Sequence, residues 1–252
     1  SKVKWDQSYG KYTKQGVKQA YQTGVGNTAE INLMLTAMLD FANLESNPVL
    51  VSTRSNGMPL FPTREGFNYI VSSVRLNGDI ILLDATSQNS LPSVLPIRAL
   101  NWEGRMISKD GKSTIINLYP TSKGSIQTFQ NISLSENGTA VGKIRNVYKE
   151  HQALSFRDEY RKNKQESYLN QLVDKYDGIE INNLEVKNSN ELAKLPIESF
   201  DFTTESEIDV VSNKIYFSPL LFLATKENPF KQEKREFPID FSFPFENIST
   251  ST

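Results

Sequence analysis

The position with the clearest chemical potential in this sequence is Thr28, in the turn Gly26-Asn27-Thr28 that opens a predicted helix. The N-terminus of a helix carries partial positive charge and unpaired amides, which lower the pKa of a thiol placed there. The residue present is a threonine, whose hydroxyl becomes nucleophilic only beside a base. Thr28 is therefore a candidate nucleophile that needs a partner from elsewhere in the chain.

Few residue types could supply that partner. The 252 residues contain no cysteine and one histidine, His151. This composition excludes thiol nucleophiles, disulfides, thiolate metal sites and multi-histidine metal sites within these residues. His151 lies in a polar stretch, where we expect a surface residue without a ligand or catalytic role. We expect neither a metal nor a cofactor.

The helix that positions Thr28 is predicted from about Asn27 to Asn43. Its apolar residues leave almost no polar face, which predicts a buried helix in the middle of a domain. Asn27 and Glu30 have the spacing of a capping box, in which each side chain accepts the other's exposed backbone amide. Gly26 permits a sharp turn before the helix.

Strands follow this helix. A strand is predicted at residues 48–53, and two apolar runs, 68–76 and 79–84, flank Asn77-Gly78, a strong hairpin signal. A helix laid on an antiparallel sheet predicts the α+β class.

Three short segments resemble the transglutaminase-like core superfamily. Gly26-Asn27-Thr28 matches its Gly-x-Cys helix start, Phe67-Asn68-Tyr69-Ile70-Val71 its histidine strand, and Leu82-Leu83-Asp84-Ala85-Thr86 its Leu-Asp-Pro-Thr ending. The resemblance implies a cysteine-protease-like core with a central buried helix on an antiparallel sheet. It also implies a degenerate member, because the family's Cys, His and Asp positions hold Thr28, Tyr69 and Asp84.

The resemblance extends to bacterial multidomain proteins in which a β-sandwich domain of unknown function follows the core. Residues 1–102 are then a core that lacks its N-terminal start, and residues 103–252 a β-sandwich that is incomplete at its C-terminus. Hairpins are predicted around Asp110-Gly111 and Asn137-Gly138, and one helix over 155–177. The same resemblance implies a cell-envelope location, periplasmic or secreted.

The charge balance argues against two classes of partner. The formal net charge is -1, with lysines and acids intermixed, which provides no basic field for nucleic acid and no cationic face for membranes. No window approaches the ~18 to 20 apolar residues of a membrane span, and the first residues lack the apolar run of a signal peptide.

Loops near the helix start are candidates for a binding groove, because clefts between a helix terminus and loops can hold peptide segments or carboxylates. The groove candidates are Arg54, Asn56, Arg64, Phe67 and Tyr69. For the two arginines the alternative role is solvent exposure or pairing with Glu65.

The leading hypothesis is a non-catalytic transglutaminase-like module that serves binding or scaffolding in a bacterial cell envelope, with a peptide or protein partner. One alternative is an active transglutaminase or peptidase relative with a Thr-centred site. Another is a structural spacer between flanking domains. The sequence leaves the ligand, the partner and the oligomeric state open.

Overall fold

The computed structural model shows a mixed α+β protein with four helices and several sheets among its described residues. It describes residues 2–252 apart from positions 62, 64, 164, 177, 207, 213, 226, 229, 232, 233, 235, 237 and 238. The chain divides into two compact units. The first comprises the residues up to 123 with 242–244, and the second comprises 124–241 with 245–252.

The first unit combines two helices with a five-stranded antiparallel sheet. The helices are α1 (Val17–Thr23) and α2 (Thr28–Phe41). Two short strands, β1 (Lys4–Trp5) and β2 (Val25–Gly26), pair in parallel before α2. The sheet has the order β5-β4-β3-β6-β7, formed by β3 (Ser46–Val51), β4 (Tyr69–Leu76), β5 (Asp79–Leu83), β6 (Glu103–Ile107) and β7 (Ser113–Asn117).

The predicted capping box at the start of α2 is confirmed. The Asn27 side chain accepts the Glu30 amide at 2.9 Å, and the Glu30 carboxylate accepts the Asn27 amide at 2.9 Å. The predicted burial is right only for the first turns, Thr28 to Asn32. Towards the end of the helix, Met38 is 63% and Phe41 91% exposed.

The second half of α2 meets the sheet through polar groups, which explains why it is not buried. The Thr36 hydroxyl lies 2.9 Å from that of Ser72 on β4, and the Ser46 hydroxyl donates to the Thr36 carbonyl at 2.9 Å. The exposed apolar side chains of this half, Met38 and Phe41, lie outside the core.

The Glu30 carboxylate also holds the segment that precedes α1. One of its oxygens accepts three consecutive backbone amides, from Lys14 at 2.9 Å, Gln15 at 2.7 Å and Gly16 at 3.2 Å. Glu30 is 1% exposed. A buried carboxylate needs such compensation because it has lost its hydration, so Glu30 fixes the N-terminal segment against α2.

The predicted hairpin at Asn77-Gly78 is confirmed, with β4 paired to β5 and both turn residues at positive φ, 52° and 93°. These angles are those of a type I′ turn, which suits the right-handed twist of the strands. The hairpin around Asp110-Gly111 joins β6 to β7. Because β6 pairs with β3, this hairpin continues the first sheet. The division between units therefore falls after Lys123 rather than after Trp102, where the sequence analysis placed it.

The second unit has two helices, α3 (His151–Lys162) and α4 (Gln165–Lys175). Its five-stranded sheet is formed by β8 (Gly124–Leu134), β9 (Ala140–Lys149), β10 (Ile179–Lys187), β11 (Ile197–Thr204) and, after a separate hairpin of β12 (Ile208–Val211) and β13 (Lys214–Phe217), β14 (Phe245–Ser251). The sheet has the order β10-β11-β9-β8-β14, and β14 runs parallel to β8.

This arrangement corrects the prediction of a β-sandwich. In the described part of the second unit, helices cover the core face of the sheet, where a sandwich would have a second sheet. Phe156 of α3 and Leu172 of α4 share one apolar cluster with Ile144 and Phe200 of the sheet. The charged segment predicted as one helix forms two, and their apolar faces supply the layer that the sheet needs.

We predict that Glu30→Gln lowers the free energy of unfolding of the first unit by about 2 kcal/mol, because an amide cannot replace the charge-assisted bonds of the carboxylate. Both tryptophans, Trp5 and Trp102, lie in this unit. Tryptophan fluorescence during urea unfolding therefore reports on it. The matched control is Glu45→Gln, which breaks an exposed 3.0 Å ion pair with Arg75 and should cost under about 0.5 kcal/mol. Equal costs would contradict this role for Glu30.

Candidate functional site

Thr28 is the first residue of α2 and is fully buried. Its hydroxyl donates to the Gly10 carbonyl at 2.8 Å and accepts the Gly10 amide at 2.8 Å. Both hydrogen-bonding functions of the hydroxyl are therefore directed to one residue of the N-terminal segment. No hydrogen bond joins this hydroxyl to Tyr69 or Asp84, all three of which lie in the described chain.

Tyr69 and Asp84 are in direct contact. Tyr69 begins β4 and is fully buried, and its hydroxyl donates to Asp84 Oδ2 at 2.7 Å. Asp84 follows β5 at the same end of the hairpin. The other carboxylate oxygen, Oδ1, accepts the amide and the hydroxyl of Thr86 at 2.9 and 2.6 Å. The structure thus brings together two of the three residues that the resemblance singles out.

Asn32 links this pair to α2. Its Nδ2 donates to Asp84 Oδ1 at 3.0 Å and to the Ile70 carbonyl at 2.8 Å, and its Oδ1 accepts the Ala85 amide at 2.8 Å. Asn32 is one helical turn beyond Thr28, so both side chains lie on the same face of α2. The sequence analysis did not select Asn32, because its helical position gives no sign of a partner on another strand.

Arg98 completes the cluster and was also missed. Its Nε donates to the Tyr69 hydroxyl at 2.9 Å, and its Nη2 donates to the Thr86 hydroxyl at 2.8 Å and lies 3.7 Å from Asp84 Oδ2. The guanidinium therefore offsets the charge of a carboxylate whose side chain is 0% exposed. Nothing in the sequence around Arg98 distinguishes it from other loop arginines.

This environment determines the protonation of Tyr69. Burial and the nearby Asp84 charge raise the pKa of its phenol well above the ordinary 10, and the Arg98 charge offsets only part of that rise. A phenol with so high a pKa stays protonated at neutral pH and cannot accept a proton from Thr28. Among the described residues, the hydroxyl of Thr28 has no base beside it.

The N-terminal segment covers the cluster. The Trp5 ring lies 4.5 Å from the Arg98 guanidinium carbon, and the Tyr9 ring meets the Tyr69 ring edge-on at 5.4 Å. Trp5 and Tyr9 stack on each other at 5.9 Å. Together with the backbone bonds of Gly10 to Thr28, these contacts cover the site with the N-terminal segment.

The predicted groove residues have different surroundings in the described part of the chain. Arg54 donates to the Leu100 carbonyl at 3.1 Å, Asn56 donates to the Ser52 hydroxyl at 3.0 Å, and Tyr69 is buried. Arg64 lies outside the described residues. Tyr69 is thus closed off from solvent, whereas the placement of Arg54 and Asn56 around a groove stays a prediction.

Phe67 does line a groove, which has a volume of about 210 Å³. Phe61 and Trp102 on its rim are 74% and 51% exposed, and Trp102 has a left-handed backbone with φ 58°. A bulky residue rarely adopts that conformation without support from its surroundings. The groove is lined by Pro59, Leu60, Phe61, Phe67, Trp102, Glu103, Gly104, Arg105 and Ile115.

His151 is the remaining titratable residue for which the sequence predicts a location. His151 begins α3 and is 1% exposed, so its predicted surface position was wrong. No group of three metal-ligating side chains gathers in the described chain.

None of the described helices combines the length and apolar character needed to cross a bilayer.

The chain matches no protein-family model, no curated protein and no solved structure. Its function must therefore be argued from its own residues.

We predict that Tyr69→Phe lowers the free energy of unfolding of the first unit by about 1 to 3 kcal/mol at neutral pH, because Asp84 loses a donor and Arg98 an acceptor. Above about pH 10 the unfolded wild-type tyrosine ionises while the folded one stays protonated. The free energy of unfolding of the wild type then falls by about 1.4 kcal/mol per pH unit, and that of the variant does not fall for this reason. The difference in unfolding free energy between the wild type and Tyr69→Phe should therefore narrow as the pH rises.

The measurement is urea unfolding by tryptophan fluorescence between about pH 8 and 11. Tyr12→Phe is the matched control, since Tyr12 is 62% exposed in the same unit. Its curve should run parallel to the wild type. A Tyr69→Phe difference that stays constant with pH would contradict the raised pKa.

Proposed function

We propose that this chain is a non-catalytic module with a transglutaminase-like core that serves binding or scaffolding in a bacterial cell envelope. The observation that carries the proposal is the pair of 2.8 Å hydrogen bonds between the Thr28 hydroxyl and the Gly10 backbone. These two bonds engage the Thr28 hydroxyl, which stands at the nucleophile position of the family that the chain resembles. The envelope location rests on the resemblance alone.

The arrangement of α2 and the β4-β5 hairpin supports the core assignment. The helix start, the beginning of β4 and the end of β5 hold Thr28, Tyr69 and Asp84, which is the order that the resemblance implies. Asn32 joins the helix to Asp84, and Tyr69 contacts Asp84 directly. These contacts between the helix and the two strands support the assignment to such a core.

The chemistry of the cluster supports the absence of turnover. Nucleophilic catalysis by a hydroxyl needs a base in contact and an acid that orients that base. Tyr69 keeps its proton, and Asp84 is engaged by Tyr69, Thr86 and Asn32. A Thr-centred enzyme would have to displace Gly10 and bring a base to the Thr28 hydroxyl.

The Phe67 groove supports a binding role. Exposed Trp and Phe side chains around a concave surface are typical of protein interfaces, where they supply most of the binding free energy. Trp102 and Phe61 have this exposure, and Arg105 and Glu103 in the lining offer one charge of each sign. The proposed partner is a peptide or protein segment with an apolar side chain that enters the groove.

We predict that panning a random peptide library against the immobilised protein enriches peptides whose affinity falls about tenfold or more with Trp102→Ala. Fluorescence anisotropy with the labelled peptides measures the change. The matched control is Tyr216→Ala, which removes a 55% exposed aromatic ring from the β12-β13 hairpin and should leave the affinity unchanged. Peptides that bind both variants and the wild type with equal affinity would refute the binding role of the groove.

Catalysis needs a separate experiment. In amidase and acyl-transfer assays with glutaminyl peptides, wild type and Thr28→Ala should both show only the uncatalysed rate. Turnover by the wild type that disappears in Thr28→Ala would overturn the non-catalytic proposal and leave the peptide-binding result unaffected.

A further inference from the structure

The sheet of the second unit ends in an edge strand, β14, that lacks the usual protection against further pairing. β14 pairs with β8 on one side, and no strand of the described chain pairs with its other side. Its residues from Phe245 to Thr250 are exposed. Edges are normally blocked by proline, by charged side chains or by a bulge. Residues 245–252 contain no proline and a single charged residue, Glu246, and their register with β8 is regular.

The opposite edge of the same sheet carries such protection. β10 contains Glu180, Glu185 and Lys187, and its register against β11 shifts between Asn182 and Glu185. The charged side chains resist desolvation, and the irregularity bends the strand away from a straight neighbour. Of the two edges of this sheet, β14 is therefore the one that offers a regular and nearly uncharged backbone to a further strand.

The pairing with β8 determines which backbone groups of β14 face outwards. The Thr252 amide donates to the Gln130 carbonyl at 2.9 Å, and the Thr252 carbonyl accepts the Ile132 amide at 2.8 Å. Backbone groups alternate between the two sides of a strand, so the even-numbered residues bond β8 and the odd-numbered residues face the open edge. The outward-facing residues include those at positions 247, 249 and 251. Each offers one amide and one carbonyl to a new strand.

The backbone of this edge can pair with a second copy of itself. In an antiparallel arrangement with a two-fold axis at Ser249, Asn247 of each copy lies opposite Ser251 of the other, and the two Ser249 residues lie opposite each other. All of these residues face outwards, so each pair exchanges two backbone hydrogen bonds.

The side chains of β14 match in the same arrangement. Ile248 of each copy lies opposite Thr250 of the other, and such pairs of β-branched residues stabilise antiparallel sheets. Glu246 lies opposite Thr252 and not opposite its own counterpart. No like charges therefore meet across the pair, and a second copy of this chain fits the edge.

We infer that the chain forms a two-fold symmetric homodimer in which the β14 strands of two copies pair antiparallel about Ser249. The five-stranded sheets of the two copies then form one continuous sheet. This interface belongs to the second unit, and the inference does not depend on the proposed function.

The test measures the mass of the full chain by sedimentation equilibrium at about 1 to 500 µM, a range that covers weak interfaces. A single pair of strands is a small interface, so we expect a dimer with a dissociation constant of about 10 to 100 µM. A chain that is still monomeric at about 500 µM overturns the inference and leaves the edge to a strand of another protein.

Substitutions at Ser249 locate the interface. Ser249→Pro removes the outward-facing amide at the axis and no bond to β8, so it should weaken dimerisation at least about tenfold. Ser249→Lys places two like charges opposite each other and should weaken it about threefold. The matched control is Ser113→Lys, at an exposed position on β7, the edge strand of the first unit's sheet, which should leave dimerisation unchanged.

A mixing experiment tests the two-fold register and remains decisive where Ser249→Pro does not fold. Ser249→Asp should weaken dimerisation as Ser249→Lys does. An equimolar mixture of the two variants should associate about three- to tenfold more tightly than either variant alone, because position 249 faces its own counterpart. Variants that dimerise as tightly as the wild type, or a mixture that associates no better than its components, would refute pairing about Ser249.

Discussion

The first unit depends on keeping the Asp84 carboxylate charged and out of water. Burial removes its hydration, and the loss is offset only because Asn32, Tyr69 and Thr86 donate to it while Arg98 lies 3.7 Å away. These donors come from α2, β4 and the loop after β5, so one carboxylate joins the helix, the sheet and the loop. Removing any donor leaves an incompletely satisfied charge in the core, which is more costly than losing an ordinary hydrogen bond.

A second buried carboxylate, Glu30, acts on the other side of the helix start. It binds the amides of residues 14–16, and the same N-terminal segment carries Trp5, Tyr9 and Gly10 onto Arg98, Tyr69 and Thr28. The two carboxylates therefore have complementary effects. Asp84 organises the cluster, and Glu30 holds the cover in place. The polar groups of the cluster are therefore committed to structural hydrogen bonds.

Signals within a few residues of each other were predictable from the sequence. The Asn27 and Glu30 box and the Asn77-Gly78 turn are decided by local backbone geometry, and both were confirmed. Arg98 and Gly10 were not predictable, because their partners Tyr69 and Thr28 lie 29 and 18 residues away and nothing local marks them. The sandwich prediction failed for a related reason. Strand patterns show that one face of a sheet is apolar, but not whether a helix or a second sheet covers it. The burial of α2 was overestimated, because the periodicity of apolar residues does not show how far along the helix the sheet extends.

The contact between Gly10 and Thr28 also restricts which residue can stand at position 10. Gly10 lies so close to the helix start that an added Cβ would be 2.8 Å from Asn27 Nδ2 and 3.2 Å from the Tyr12 carbonyl oxygen. Even a methyl group at position 10 would therefore have to shift the side chain that caps α2 or the backbone at Tyr12. Variation at this position is consequently limited by available space and not by the chemistry of the side chain.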